Sequence, residues 1–428
     1  MWQVLLPHPT EDGKKMHRRM WHRALVAAVL VATVTGGAGV ASADETGRLT
    51  GEDPAHGAEP GEVAAAATYV QLPDLGITHR LPSGGMNLWR MPLSDLEDGF
   101  AQPQLVKNLD FGGFSYDNSV TLAGDVADIT PSDDGTADHI IWHAQPNGGV
   151  LLWAVGGGSD TTPRLWQDLR TGGWSYANSR PMVGDVNADG WDDLVVQHRN
   201  YGSVANIWVF LSDGQQLGAP QLWSTTARWG ADFRHLLADV SGDGAADLVM
   251  ATMASTGVGP SLTYTAALSN TVSGFNGSFP LFQGHNSAGW SFVNSRQVAG
   301  DVTGDGFVDL LTIHAQPNGG VLVWLHQGYL DAGTGQPRTS PPVVWQDLRT
   351  GGWSFAGSRQ YTADTNGDFI DDLVTVHRQA ANPGELIWRH VSTGAGLLAP
   401  QVIADLRSGG WNYSASREGV AHTWGMFA

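Results

Sequence analysis

The chain has 428 residues, a formal charge of −19, 18 tryptophans, 56 glycines and no cysteine. The acid excess argues against a nucleic-acid partner, because binding phosphates depends on clustered Lys and Arg. The lack of cysteine excludes a disulfide framework, so any staple beyond core packing has to be ionic.

Lys14, Lys15, Arg18, Arg19 and Arg23 precede an apolar run from Ala24 to Val34, and Ala41-Ser-Ala43 supplies a small-residue cleavage motif. This pattern predicts a signal peptide over 1–43, with Met16 as an alternative start, and a secreted, extracellular product. The run is shorter than the ~20 residues a bilayer span needs, so no membrane span is expected in the mature form. Removing 1–43 takes away five basic and two acidic side chains and leaves a charge of −22. Residues 44–66, rich in Gly, Ala, Glu and Pro, read as a flexible arm, and 67–428 as one repeat domain.

Within that domain Gly84–Met91 and Pro103–Leu109 read as the third and fourth strands of a unit that lacks its first two. Five acidic loops follow, starting at Asp125, Asp185, Asp239, Asp301 and Asp364, at intervals of 60, 54, 62 and 63 residues. A recurring period of this kind signals a repeat architecture. Each unit reads as four short strands. In the second they are a segment from Trp174 to Val183, then Leu194–His198, Val204–Phe210 and Pro220–Trp223, with turn residues between. The chain ends in another first strand, from Trp411 to Arg417, with no acidic loop after it. The two ends complement each other. The fold expected is all-β: a β-propeller of four-stranded blades, six in number and closed by pairing N- and C-terminal strands, with seven as the alternative if residues 62–83 contribute strands.

The acidic loops carry oxygen side chains at alternate positions. Asp185, Asn187, Asp189 and Asp193 occupy positions 1, 3, 5 and 9 of the second loop; Asp239, Ser241, Asp243 and Asp247 those of the third. Asp301, Thr303, Asp305 and Asp309 fill them in the fourth, and Asp364, Asn366, Asp368 and Asp372 in the fifth. Ca²⁺ takes six to eight oxygens, and carboxylates at 1, 3 and 5 with a sharp turn at 6 wrap it. The acid at 9 instead of 12, and the β-branched residues after it, replace the helices of an EF-hand with a β-hairpin. The first loop holds Asp125, Asp128, Asp134 and Asp138 around an insertion, and so is expected to be distorted. Phe369 stands where Gly190, Gly244 and Gly306 make the turn, and is expected to keep a negative φ.

These residues resemble the FG-GAP repeat, also called the VCBS repeat, of integrin α-subunit propellers and secreted bacterial proteins, over nearly all of the mature chain. The resemblance implies Ca²⁺ at four to five sites, with main-chain carbonyls at position 7 (Trp191, Ala245, Phe307 and Ile370) completing the ligand sets. Closed on itself by its own ends, the chain is expected to be a monomer.

With the acidic loops joining strands one and two, the turns between strands two and three and the blade-to-blade links lie at the opposite end. That end collects His143, Asn147, Arg170, Trp174, His198, His314, Asn318, Arg349, Trp353 and His377, which are the candidate ligand-binding residues. Planar polar groups beside aromatic rings suit carbohydrate. The function expected is a non-catalytic, calcium-binding extracellular module for a glycan, with protein adhesion as an alternative. There is no Gly-x-Ser-x-Gly elbow, P-loop or Cys nucleophile. A polysaccharide lyase or hydrolase remains the enzymatic alternative, with His235, Tyr264 and His285 of the irregular third unit as its candidates.

Overall fold

The computed structural model describes residues 74–95, 99–127, 136–256, 259–285, 292–379, 383–420 and 424–425. The expected signal peptide, the arm, and Asp128 and Asp134 of the first loop lie outside them. The chain folds as six four-stranded antiparallel blades, each a meander. Blade 1 comprises Ser119–Gly124, Asp138–Ala144, Val150–Val155 and Arg164–Leu169; blade 2 Ser179–Gly184, Asp193–Tyr201, Val204–Phe210 and Gln221–Arg228. Blade 3 comprises Phe233–Ala238, Asp247–Thr256, Gly259–Ser269 and Phe275–His285. Blade 4 comprises Ser295–Gly300, Asp309–Ala315, Val321–His326 and Val343–Leu348, with a small hairpin, Gly328–Leu330 against Pro337–Thr339, inserted before its last strand.

Blade 5 comprises Ser358–Ala363, Asp372–Arg378, Glu385–His390 and Gln401–Leu406. Blade 6 is composite: Ser416–Val420 pairs with Asp74–Arg80, followed by Met86–Asp95 and Gln104–Leu109. The ends therefore meet as expected, and the segment 62–83 does contribute a strand, Asp74–Arg80, but to the sixth blade and not to a seventh. First strands touch one another in sequence around the ring, including blade 6 to blade 1. Trp424–Gly425 adds to the free edge of Ser295–Gly300 within that inner circle.

Burial follows position in the blade. Second strands such as Asp309–Ala315 lie between neighbouring sheets and are buried almost throughout, which is why they read as continuous apolar runs. Fourth strands form the rim; Arg164–Leu169 and Val343–Leu348 share one pattern, exposed at the start and buried only at the final leucine. A register shift interrupts the pairing of third and fourth strands in blades 1, 2, 4, 5 and 6, at Trp153, Trp208, Trp324, Trp388 and Trp89. Such bulges twist an exposed edge and discourage pairing with another chain.

Blades are clasped to one another by arginine. Arg234, Arg296, Arg359 and Arg417, each second in its first strand, stack on Phe292, Phe355, Tyr413 and Tyr116 of the next blade at 4.0–4.1 Å. Arg180 sits over Trp229 at 4.3 Å in the same role. The guanidinium also donates to main-chain carbonyls of the partner: Arg296 to Phe355 and Ser358 at 3.0 and 2.7 Å, Arg417 to Tyr116 and Ser119 at 3.2 and 2.5 Å. Blade 1 has Val120 in this place, and it packs with Tyr176 against one apolar cluster.

Acidic loops and the opposite turn face

Each acidic loop is organised by its first and ninth residues. The position 1 carboxylate folds back over the turn: Gly190 N–H donates to Asp185 at 2.9 Å, Gly244 to Asp239 and Gly306 to Asp301 at 2.8 Å, and Phe369 to Asp364 at 2.9 Å. The position 5 carboxylate accepts from the amide at 7, at 2.9–3.0 Å in Asp189, Asp243, Asp305 and Asp368. Position 9 is wholly buried in Asp193, Asp247, Asp309 and Asp372. One of its oxygens accepts from the loop, through Val186, Val240, Thr303 or Thr365. The other accepts from the turn between strands three and four, through Ser212, Ser269, Gly328 or Ser392 at 2.7–2.8 Å.

In the first loop Asp138 repeats this role toward Ala127 and Gly157, at 3.1 and 3.3 Å. Asp125 is buried and accepts and donates through its main chain to Asp192 of blade 2. Phe369 adopts φ +67°, in the left-handed region that Gly190, Gly244 and Gly306 occupy at +93°, +96° and +85°. The negative φ expected for it is therefore wrong: four loops keep one turn geometry, and the fifth carries a strained residue to do so. Ala188, at φ +61°, carries the same strain at position 4 of the second loop.

Burial and neighbouring carboxylates raise the pKa of these acids. Asp185, Asp247 and Asp309 are each pushed up to about 7, Asp372 to about 6, and Asp371 to about 8. Burial is the leading cause in every case, with charges from within the loops adding to it. Among the described residues no three carboxylate or imidazole groups converge on one point. The donor set is all oxygen, from carboxylate, amide, hydroxyl and main-chain carbonyl, which is the chemistry a hard divalent cation takes. Crowded, desolvated carboxylates are also the groups that a cation would relieve.

At the other end, the turns between strands two and three of blades 1 and 4 are bonded to the links leaving those blades. Asn147 donates to the Arg170 carbonyl at 2.9 Å and accepts from Gly149; Asn318 does the same with Arg349 at 2.8 Å and Gly320. Arg170 makes a two-pronged ion pair with Asp168, and Arg349 and Arg407 repeat it with Asp347 and Asp405. The side chains of these pairs are about half exposed. Arginine and acid therefore stand fixed relative to each other at three blade junctions.

The histidines belong to aromatic triads. His198 meets Trp174 edge-on at 5.1 Å, and Trp208 completes the group; His377, Trp353 and Trp388 repeat it. His143 joins Phe114 and Trp153, and His79 joins Trp411 and Trp89. Nε2 of His198 and His377 accepts the amides of Ser175 and Ser354 at 3.2 Å. Burial lowers the pKa of His143, His198, His314 and His377, so they stay neutral near pH 7. His314 lies at the corresponding place in blade 4, with Gln316 against its ring. The triads carry partly exposed tryptophans at 174, 353 and 411.

Two of the three enzymatic candidates are buried. Tyr264 is fully buried, its hydroxyl on Thr312, and His235 is buried with its pKa lowered to about 4 by burial and by Arg180. The side chain of His285 lies outside the described residues. Sequence reasoning missed the arginine clasps, although Ser-Arg recurs five residues after each link tryptophan (Ser179-Arg180, Ser295-Arg296, Ser358-Arg359, Ser416-Arg417).

Residues 185–250, the second acidic loop through the third, match the model of the FG-GAP-like repeat. No curated protein matches the chain significantly. Among solved structures, the Photorhabdus luminescens Tc holotoxin pore is similar at 15% identity and a TM-score of 0.43, over 76% of this chain and 14% of the toxin chain. The six-bladed fungal lectin of Aleuria aurantia is similar at 12% identity and a TM-score of 0.40, over 80% of this chain and 99% of the lectin. The periplasmic gluconolactonase of Pseudomonas aeruginosa follows at 10% identity and a TM-score of 0.37, over 81% and 99%. With acidic loops on one plan in four blades and a sixth blade closed by both chain ends, the chain is a six-bladed β-propeller, and its residues 185–250 match the FG-GAP-like repeat.

Proposed function

We propose that this propeller is a secreted, calcium-stabilised binding module whose ligand is a carbohydrate, and that it catalyses no reaction. The observation that carries the glycan reading is the repetition, at three blade junctions, of a fixed and half-exposed Asp–Arg pair in one short segment with a partly exposed tryptophan. Hydroxyls find both donor and acceptor in such a pair, and the C–H face of a sugar ring finds the indole. Repetition also favours binding over catalysis, since a catalytic centre is unique whereas these groups recur.

Calcium would be held by positions 1, 3, 5 and 9 with the carbonyl at 7, and would supply charge that the buried carboxylates lack. The basic and apolar leader supports export. No helix among the described residues is long and apolar enough to cross a membrane.

The test is a glycan array on protein starting at Asp44, in calcium and in chelator, beside the triple variant Arg170→Ala/Arg349→Ala/Arg407→Ala. Binding that needs the arginines is the expected result. A strong signal unaffected by the triple variant would move the site elsewhere. Unsaturated uronate absorbance on incubation with acidic polysaccharides would overturn the non-catalytic reading.

A further inference from the structure

We infer that the acidic loops work as coupled neighbours, loop 2 with loop 3 and loop 4 with loop 5, with Ser269 and Ser392 as the positioning residues that join them. The inference rests on the calcium reading above.

The serines sit in the turns between strands three and four. Ser269 donates its amide to Asp247, position 9 of its own loop, at 2.8 Å, and its hydroxyl to the Val186 carbonyl of the preceding loop at 2.6 Å. Val186 in turn donates its amide to Asp193, position 9 of loop 2, at 3.0 Å. Asp193 accepts from the amide of Ser212 at 2.7 Å, and the Ser212 hydroxyl donates to the Val126 carbonyl of loop 1. Hydrogen bonds joined through the residues Ser269, Val186, Asp193 and Ser212 thus tie loop 3 to loop 2 and loop 2 to Val126.

Ser392 repeats the link from Asp372 to the Val302 carbonyl of loop 4, at 2.8 and 2.5 Å. The amide of the same peptide unit, from Thr303, donates to Asp309 at 3.0 Å. Main-chain bonds reinforce the same three junctions: Asp192 to Asp125, Ala246 to Asp185 and Asp371 to Asp301, at 2.7–2.8 Å. Between blades 3 and 4 the serine is replaced by Gly328, which has no hydroxyl to bridge back. That replacement divides the two pairs.

Every residue in the first set of links is buried: Asp247, Ser269, Val186, Asp193, Ser212 and Val126. Water is kept from these bonds, so a displacement of one buried group is passed to the next through the residue that both bonds hold. A position 9 carboxylate drawn toward a cation pulls on its serine amide, and the serine hydroxyl then resets the carbonyl at the head of the preceding loop. Coupling between sites is reciprocal, so filling either loop favours the other.

The test titrates the protein starting at Asp44 with calcium chloride and follows hydrogen exchange in peptides covering loops 2 and 4. Asp243→Ala empties loop 3 without touching the relay. It should raise the calcium concentration that half-protects loop 2 by about five-fold and leave loop 4 unmoved. In a Ser269→Ala background the same change should move loop 2 no further, and Ser269→Thr, which keeps the hydroxyl, should restore the effect. Should Ser269→Ala not fold, Ser392→Ala with Asp368→Ala makes the same comparison between loops 5 and 4. Calcium protection that is independent in neighbouring loops, or coupling that survives the serine variants, overturns this inference alone. Absence of calcium protection in the unaltered protein overturns the calcium reading and the coupling with it.

Discussion

Arg417 closes the ring. It leaves the C-terminal strand of blade 6, stacks on Tyr116 of blade 1 at 4.1 Å, and donates to the carbonyls of Tyr116 and Ser119. Arg417→Met keeps the aliphatic stem and removes the guanidinium. Two hydrogen bonds from a charged donor contribute ~1.5 kcal/mol each at the low end, which suits a partly exposed side chain. The stacking adds about 0.5–1 kcal/mol. The expected cost is therefore about 3.5–4 kcal/mol, and in a domain of this size it should lower Tm by roughly 5 °C. Differential scanning calorimetry reads the change, and a cycle with Tyr116→Leu isolates the stacking as a coupling of about 1 kcal/mol. Arg164→Met, which removes an exposed pair with Asp160, should shift stability by less than about 0.5 kcal/mol. A loss from Arg417→Met no larger than that of Arg164→Met would refute the clasp as a source of ring stability.

Phe369→Gly should raise stability by about 0.5–1 kcal/mol, because relief of left-handed strain outweighs the added freedom of the unfolded chain; urea denaturation in chelator measures it, and a loss would show that the phenyl ring packs favourably. Glu385 is buried beside Glu418, and burial first, then that neighbouring charge, raises its pKa above the ordinary 4.5. A carboxylate whose pKa is raised on folding holds its proton better in the folded state, so stability falls as pH climbs through and beyond 4.5. Glu385→Gln should flatten the Tm profile between pH 5.5 and 8 and gain most at pH 8, whereas a profile parallel to the unaltered protein would place the slope elsewhere.

The acidic loops were legible because their chemistry is local: nine residues carry the spacing from Asp185 to Asp193, and the period repeats it. Ring closure was legible from complementary ends. Asp74–Arg80 was harder to place, since Gly76 interrupts a short strand; its reason is spatial, as a Cβ there would lie 2.9 Å from that of Ala123. Side-chain roles at the turn face were not legible at all. The sequence shows a histidine at 198 or 377, but only the fold shows a tryptophan edge on one side of it and an amide on Nε2. The arginine clasps join residues 49 to 301 positions apart, beyond any local pattern. Phe369 shows the converse, a local rule overridden because half-buried Asp364 and buried Asp372, at positions 1 and 9, fix the turn around it.

The most direct test of the account is thermal unfolding of the protein starting at Asp44 in excess calcium and in excess chelator, with bound ions counted by equilibrium dialysis. A site held at ~100 times its Kd adds about 2.7 kcal/mol, so several filled loops should raise Tm well beyond the effect of any single substitution above. The account predicts four to five ions per chain and a melting curve that chelator moves sharply downward. Superimposable curves with no bound calcium would contradict it and leave the acidic loops as hydrogen-bonded turns.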